Sequence, residues 1–338
     1  MNFLNLKKTF VIAEIGGNHE GDIEYAKRLL RKAARSGVDA VKFQSYSADG
    51  IVSKIEDPQR HKHFERFSLS VKDFIELSDL ANKLGVIFMS SVWDSYYLDA
   101  LNPYIEIHKI GSGDLTNYPL IKEIAQLNKP LIISTAMATM EEVQDTINFI
   151  DQISPNFIKK GNLAILQCVA MYGDPNDHYA HLNVIKSYIE KFPEITIGYS
   201  DHSLGSHACN IAVSLGAKIL EVHFTDDKNR EFRDHHISVD ESELKELITS
   251  ISRTEKMMGV YQKEPIHAIE TEQRINEFRR ACYFIKDMEK DEVISIKNLT
   301  TLRPNKGVDA RKYFDLIGKK VLRNIKAGHS FSEDDIET

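Results

Sequence analysis

The chain has 338 residues, a length that favours a large domain followed by a smaller one. Its net charge of −7 argues against a nucleic-acid partner, because phosphate backbones are bound by clustered lysine and arginine. No apolar run reaches the roughly 18 residues that a membrane-spanning helix needs, and the 3 cysteines lie too far apart to suggest a disulfide framework. These features predict a soluble, cytoplasmic protein without a nucleic-acid or membrane partner.

Short β-type segments alternate with longer amphipathic segments over the first 260 residues. In chain order the β-type segments are TFVIAEI, DAVKFQS, VIFMSS, YIEIHKI, PLIISTA, LAILQCV, ITIGYS and KILEVHF. The segments between them show helical periodicity, as in IEYAKRLLRKAARSG and VKDFIELSDLANKLG. Eight such βα units in about 250 residues predict a (β/α)8 TIM barrel of the α/β class, and a doubly wound open sheet is the alternative.

The chain changes character after the barrel. Residues 1–260 are expected to form the barrel, which closes with the helix LKELITSISRTEKMMG. Residues 261–280 are polar and are predicted to form a linker. Residues 281–338 contain short β-like runs separated by turn residues, so they predict a second, small domain.

All eight predicted strands carry polar residues at or just beyond their carboxyl ends. In a TIM barrel these ends surround the active site. In chain order the residues are Glu14, Lys42, Gln44, Ser91, Lys109, Ser112, Asp114, Ser134, Tyr172, Ser200, His202, Glu221 and His223. A lysine or histidine at any one position is more often a surface residue or a satisfied core residue. Polar residues at all eight ends instead predict a catalytic centre.

The residue types at these ends suggest three kinds of chemistry. His202 and His223 end neighbouring strands and could bind a divalent metal, with water, a carboxylate or the substrate completing the site. Lys42 and Lys109, with the serines near them, could bind an anion. The carboxylates Glu14 and Asp114, at or just beyond strand ends, are suited to proton transfer. Four other histidines (His61, His63, His178 and His181) are expected to lie solvated in loops.

The order of the motifs resembles that of one enzyme family. AEIGGNHEGD, VKFQS, KIGSGDLTNYPLI, LIISTAMAT, IGYSDHSLG and EVHFTDD follow one another as they do in the sialic acid synthase family. NLTTLRPNKG and LIGKKVLRNIKAGHSF resemble the antifreeze-like (SAF) domain of these enzymes, a small β-clip fold. The resemblance implies metal-dependent condensation of phosphoenolpyruvate with an N-acetylated amino sugar. The products are a nine-carbon 2-keto sugar acid and phosphate, which leaves with C–O cleavage.

The resemblance also implies roles for individual residues. His202 and His223 match the metal ligands, with Mn²⁺ the usual ion and Mg²⁺ or Co²⁺ as possible replacements, and Glu14 and Asp114 match the acid/base carboxylates. The phosphoenolpyruvate contacts correspond to Lys42, Lys109, Ser91, Ser112, Ser134 and Ser200, and the sugar contacts to Gln44, Tyr172 and Asp234. Arg303 matches an arginine that reaches into the barrel of the other subunit, which implies a domain-swapped homodimer.

Several motifs depart from the family pattern. The chain has SSVW for STPF, STAM for STGM, CVAMYG for CT-x-x-YP, and FRDH for GPDH. These changes gather on the acceptor side and at one phosphate contact, so they predict a diacetamido-hexose of the legionaminic or pseudaminic type, or another modified sugar, as the acceptor. A metal-dependent aldolase or hydrolase, a non-catalytic paralogue and an ice-binding module are the alternative functions.

Overall fold

The computed structural model describes residues 2–230 and 232–338. Parallel strands form a closed barrel in chain order, and β1 pairs with β8 to complete it. The strands are β1 (Phe10–Gly16), β2 (Ala40–Ser45), β3 (Ile87–Val92), β4 (Ile107–Ile110), β5 (Leu131–Ser134), β6 (Leu163–Cys168), β7 (Thr196–Asp201) and β8 (Ile219–His223). The predicted (β/α)8 barrel is therefore confirmed, and the open-sheet alternative is wrong.

Helices alternate with these strands. They are α1 (Ile23–Arg35), α2 (Ala48–Ile51), α3 (Pro58–Phe67), α4 (Val71–Leu84), α5 (Ser95–Leu101), α6 (Tyr118–Gln126), α7 (Met140–Ile153), α8 (Val184–Lys191), α9 (His207–Ser214) and α10 (Glu241–Met258). Side chains cap several amino termini, as where Asp22 accepts the first free amides of α1. Short helices α2 and α3 occupy the part of the β2–β3 connection that precedes α4, to which the sequence analysis assigned no element.

Alternation along the strands separates the barrel interior from the layer beneath the helices. On β1, Val11 and Ala13 pack in the main core against the helices, whereas Ile12 packs in a second core inside the barrel. Ile107 and Ile219 lie in this inner core, and Lys109 and Glu221 follow them two residues later. The interior is thus apolar at the amino ends of the strands and charged toward the carboxyl ends.

The chain divides into two compact units, Met1–Gly259 and Val260–Thr338. The second unit contains α11 (Glu272–Phe278), an antiparallel pair formed by β9 (Ala281–Phe284) and β10 (Leu299–Leu302), and α12 (Tyr313–Leu316). It has its own core, composed of Cys282, Phe284, Met288, Ile294, Leu299, Val308, Leu316, Val321, Ile325, Phe331 and Ile336. α11 falls inside the segment expected to be a linker. Within the described residues, no helix is both long and apolar enough to cross a membrane.

Candidate active site

A cavity of about 610 Å³ opens at the carboxyl ends of the strands. This volume lies within the range of small-molecule sites. Its lining includes every barrel residue that the sequence analysis proposed, namely Glu14, Lys42, Gln44, Ser91, Lys109, Ser112, Asp114, Ser134, Tyr172, Ser200, His202, His223 and Asp234. The closed barrel therefore brings together side chains that are spread over more than 200 residues of sequence.

Glu14 and Lys42 form a buried ion pair at the floor of the cavity. The Nζ atom of Lys42 lies 2.7 Å from Oε2 of Glu14, and both residues are at most 3% exposed. Gln44 donates a hydrogen bond of 2.9 Å to the other oxygen of Glu14. Lys42 also donates to Ser91 Oγ at 3.3 Å. These contacts fix the first carboxylate beside a lysine and an amide.

Glu221 joins this pair to the second lysine. Its carboxylate lies 3.7 Å from Lys42 Nζ and 3.9 Å from Lys109 Nζ, and it accepts a hydrogen bond of 3.1 Å from Ser200. Burial would raise the pKa of Glu221, but the two lysines hold it below its ordinary value. The sequence analysis noted Glu221 on β8 without giving it a role. Its position two residues before His223 was the available signal.

The pKa values of the two lysines are shifted in opposite directions. Burial alone would lower the pKa of Lys42, but Glu14 and Glu221 raise it above its ordinary value. Burial lowers the pKa of Lys109, and the nearby charge of Lys42 adds to the effect. Lys109 donates hydrogen bonds to Ser134 Oγ at 2.7 Å and to a backbone carbonyl at 2.9 Å. Glu221 lies 3.9 Å from Lys109 Nζ, and a bound anion would give this buried cation a second charged partner.

The two histidines at the ends of β7 and β8 face each other. Their Nε2 atoms are 3.3 Å apart. Two nitrogens that each lie about 2.1 Å from one ion are separated by about 3.0 to 3.5 Å, so the pair fits a shared divalent metal. Burial lowers the pKa of His202 to about 3, and His223 contributes, so the imidazole of His202 is neutral and its ring nitrogens can bind a metal. Nδ1 of His223 is buried without a hydrogen-bond partner in the described protein.

The histidine pair supplies fewer protein ligands than a closed metal cage. Among the described residues, no group of three or more histidine, cysteine, aspartate or glutamate side chains converges on one point. Such a site needs water or substrate oxygens to complete the coordination shell. Open positions of this kind are typical of catalytic rather than structural metal sites.

The turn after β4 places Asp114 and Ser112 on the opposite wall. Burial raises the pKa of Asp114, although a hydrogen bond from Asn117 at 3.1 Å and the charge of Lys109 act against it. Ser112 Oγ accepts a hydrogen bond of 2.9 Å from the amide of Ala136. The serine therefore links this turn to the loop that follows β5.

Tyr172 and Asp234, which are expected to contact the sugar, lie beside an arginine that the sequence analysis did not propose. The Arg233 guanidinium lies 4.5 Å from the Tyr172 ring centroid, and Arg233 Nε is 3.3 Å from an oxygen of Asp234. Tyr172 itself has a φ of +45°, and Gly173 after it has a φ of +83°. Proline cannot adopt that φ, so the CVAMYG motif follows from the path of this loop.

An aromatic wall forms one side of the cavity, and three of its residues are central. Tyr46 follows β2 and stacks on Trp93, which follows β3, with ring centroids 5.2 Å apart. Phe64 of α3 meets both rings edge-on. We call Tyr46, Phe64 and Trp93 the aromatic wall. The sequence analysis missed it because the stretch between β2 and α4 showed no strong helical periodicity.

His61 and His63 lie on α3 rather than in loops, and His61 is buried, whereas His63 is exposed as expected. His61 is only 3% exposed, and its Nε2 lies 2.7 Å from Asp49. His63 lines the cavity and stacks on Phe232, which belongs to the FRDH motif. Burial lowers the pKa of His63, and three arginines add to the effect: Arg233, Arg66 and Arg60. The cavity mouth is therefore basic in an acidic chain. His178 and His181 are exposed, as expected.

The remaining polar residues of the first motif have structural contacts. Buried Asn18 donates to the carbonyl of Phe224 and to Ser238, so it ties the first loop to the last. His19 Nδ1 accepts the amide of Gly21. A Cβ on Gly17 would lie 2.4 Å from the Phe232 ring, so glycine leaves room for that ring.

Arg303 lies in the second unit, with its guanidinium 5.5 Å from the Phe278 ring centroid.

A family model, related sequences and a solved structure all indicate similarity to the same group of synthases. The model of the NeuB family matches residues 29–263. The chain is 38% identical to N,N'-diacetyllegionaminic acid synthase of Campylobacter jejuni, covering 95% of this chain and 98% of that protein. It is 32% identical to human N-acetylneuraminate-9-phosphate synthase, covering 96% of this chain and 92% of that protein. The crystal structure of the N-acetylneuraminic acid synthetase of Leptospira borgpetersenii, in complex with citrate, has a TM-score of 0.73 at 30% identity, covering 79% of this chain and 90% of that one.

Proposed function

Since this chain belongs to the NeuB family, the family of the sialic acid synthases, we propose that it condenses phosphoenolpyruvate with an N-acetylated amino sugar. The products are a nine-carbon 2-keto sugar acid and inorganic phosphate. The observation that carries the proposal is the placement of Lys42 and Lys109, both at most 3% exposed, in one cavity with the carboxylates of Glu14 and Asp114. The basic mouth suits a substrate as anionic as phosphoenolpyruvate.

The proposed reaction forms one carbon–carbon bond and breaks one carbon–oxygen bond. C3 of phosphoenolpyruvate bonds to the aldehyde carbon of the open-chain sugar, and the aldehyde oxygen takes up a proton. Water then adds to C2, and the bond between C2 and the phosphate oxygen breaks. Asp114 is suited to deliver the proton, because burial raises its pKa and keeps it protonated to higher pH. Glu14 is suited to accept a proton from the attacking water, and Lys42 beside it would hold the phosphate.

We propose that His202 and His223 hold a divalent metal, with Mn²⁺ the first choice and Mg²⁺ or Co²⁺ as replacements. The support is the 3.3 Å separation of their Nε2 atoms and the lowered pKa of His202. A metal bound there would polarise the aldehyde of the acceptor. The neighbouring ring of Tyr172, 5.1 Å from that of His202, would help to position the sugar.

A diacetamido-hexose is the acceptor that we favour. The Campylobacter relative is named for a product with two acetyl groups, and it matches nearly the whole of this chain. The departures from the family motifs border the same part of the cavity, where Ala136, Ala170, Trp93, Phe232 and Arg233 line it. Ala170 is small and leaves room for an additional acetamido group.

The test is phosphate release from phosphoenolpyruvate with Mn²⁺ and a panel of amino sugars, with and without EDTA. We expect metal-dependent release with a diacetamido-hexose, and mass spectrometry should show the nine-carbon acid. If N-acetylmannosamine is best by a wide margin, the choice of acceptor is wrong. No release with any sugar from a folded, metal-loaded protein would favour the non-catalytic alternative. Cleavage of a substrate without phosphoenolpyruvate would favour an aldolase or hydrolase.

We also propose that the second unit, Val260–Thr338, is the SAF domain and that the chain acts as a domain-swapped homodimer. The motif that contains Arg303 supports this assembly, as does the similarity to the family over nearly the whole chain. In this arrangement Arg303 would contact the acceptor bound in the partner's barrel.

A further inference from the structure

We propose that Trp93 is a specificity-determining residue whose indole forms the platform for the apolar face of the acceptor sugar. The inference rests on the proposed function and concerns the acceptor rather than phosphoenolpyruvate. It starts from the end of β3. Val92 packs in the core beneath the helices, whereas Ser91 faces inward and accepts a hydrogen bond from Lys42. Trp93 continues this alternation and faces inward, one step closer to the mouth than the lysine level.

The side chains packed around the Trp93 indole leave part of the ring exposed to the cavity. Tyr46 stacks on one face with an interplanar angle of 17° and is itself only 4% exposed. Phe64 meets the indole edge-on at 6.1 Å. Trp93 nevertheless remains partly exposed and lines the cavity. The exposed part of the ring therefore belongs to the cavity wall, and the stack behind it holds it in place.

The edge of the indole lies near the turn that carries Ser112 and Asp114. Trp93 Nε1 lies 3.8 Å from the position that a Cβ on Gly111 would occupy. This N–H has no hydrogen-bond partner in the described protein. Because this N–H is buried against the turn, the part of the indole that faces the cavity is its apolar carbon surface. An acetamido group carries a methyl group, which can pack on an exposed aromatic ring of this kind.

The position also distinguishes this chain from the family pattern. SSVW has tryptophan where STPF has phenylalanine. The exchange enlarges the aromatic surface and adds the only indole N–H in the chain, which contains a single tryptophan. An acceptor with a deoxy position and an additional acetamido group presents more methyl surface than N-acetylmannosamine. The aromatic wall would therefore favour the diacetamido sugar.

The experiment compares Trp93→Leu and Trp93→Phe with the wild type in the phosphate-release assay. We expect Trp93→Leu to raise the KM for a diacetamido-deoxyhexose about threefold to tenfold, the size of an aromatic contact, with the KM for phosphoenolpyruvate within about twofold of wild type. Trp93→Phe should give an intermediate KM. Phe149→Leu is the matched control, because it removes a ring from a stack with Tyr118 between α6 and α7, outside the cavity lining. Thermal unfolding and circular dichroism establish that each variant is folded.

A second readout does not depend on turnover. Because Trp93 is the only tryptophan, fluorescence excited selectively at tryptophan rather than at the 13 tyrosines reports on this position alone. Titration with the diacetamido-deoxyhexose should change it in a saturable manner. An unchanged acceptor KM in Trp93→Leu, or a rise confined to the KM for phosphoenolpyruvate, would overturn the proposal. A wild type that binds the sugar by fluorescence but releases no phosphate would instead contradict the proposed function and leave the platform supported.

Discussion

Glu14 illustrates how much one residue depends on its neighbours. Its two oxygens contact Lys42 at 2.7 Å and Gln44 at 2.9 Å, so a glutamine in its place could keep hydrogen bonds but could not accept a proton. Lys42 would keep Glu221 as a charged neighbour at 3.7 Å. The substitution therefore separates proton transfer from the integrity of the site.

We expect Glu14→Gln to lower kcat by about 10²- to 10⁴-fold, the usual contribution of a general acid or base. The thermal midpoint should fall only slightly. Steady-state kinetics and calorimetry are the measurements. Glu24→Gln is the matched control, because Glu24 also pairs with a lysine, Lys27 at 2.8 Å, but on the exposed surface of α1. Turnover of Glu14→Gln within about threefold of wild type would exclude the acid/base role.

The raised pKa of Asp114 makes a separate prediction about stability. Burial raises this pKa above its ordinary value of 3.8, so the folded protein binds the proton more tightly than the unfolded chain does. The resulting stabilisation is complete below the unfolded pKa and is lost as pH rises through the folded pKa. Ionised Asp114 therefore lowers the free energy of unfolding near neutral pH. Asp114→Asn should be more stable than wild type at pH 7.

The stability difference should shrink as pH is lowered toward 4, where the wild-type carboxyl is increasingly protonated. Chemical denaturation at several pH values measures it. Asp99→Asn on the exposed part of α5 provides the control. A stability difference that stays constant with pH would show that the substitution acts through packing rather than through protonation.

Among the elements of the fold, the loop after β6 explains why the chain has CVAMYG where the family pattern is CT-x-x-YP. Gly173 has a φ of +83°, and a Cβ there would lie 2.8 Å from His236 Nε2. The neighbouring Tyr172 has a φ of +45°, and His236 Nε2 lies 3.0 Å from its carbonyl oxygen. The loop thus holds Tyr172 against the histidine pair by means of a glycine that proline could not replace.

We expect Gly173→Ala to lower the free energy of unfolding more than Gly205→Ala does. Gly205 has a similar φ of +79° but no atom within 4 Å of its Cβ position. Its substitution should cost about 1–2 kcal/mol from backbone conformation alone. The difference between the two variants, measured by urea denaturation, isolates the contact with His236. Equal losses would mean that His236 moves aside without cost, and in that case the acceptor KM should also be unchanged.

At the scale of the whole molecule, the question is whether two chains complete one site. In the proposed domain-swapped dimer, a barrel with intact His202 uses Arg303 from its partner. A His202→Ala chain and an Arg303→Ala chain should each be inactive or nearly so as homodimers. A mixed dimer would contain one barrel with an intact metal site and a partner with an intact arginine.

Unfolding and refolding the two variants together should therefore restore activity to about a quarter of the wild-type value, because half of the dimers are mixed and each contains one complete site. Light scattering should show a species of twice the 38.6 kDa chain mass. Refolding each variant alone is the control. No recovery from a mixed sample of dimers would mean that Arg303 acts within its own chain or not at all.

The barrel and the positions of most residues that line the cavity could be predicted from short stretches of sequence. Strand periodicity and strand-end residues are local properties, so the order of β1 to β8 and the inward positions of Lys42 and Lys109 could be predicted from short segments. The same patterns could not show that Glu221 lies between the two lysines, because those contacts join residues that are far apart in the chain and depend on barrel closure. The aromatic wall and the burial of His61 could be recognised only in the folded protein. Both depend on α3, a short polar helix whose position is fixed by packing against the rest of the barrel rather than by its own periodicity.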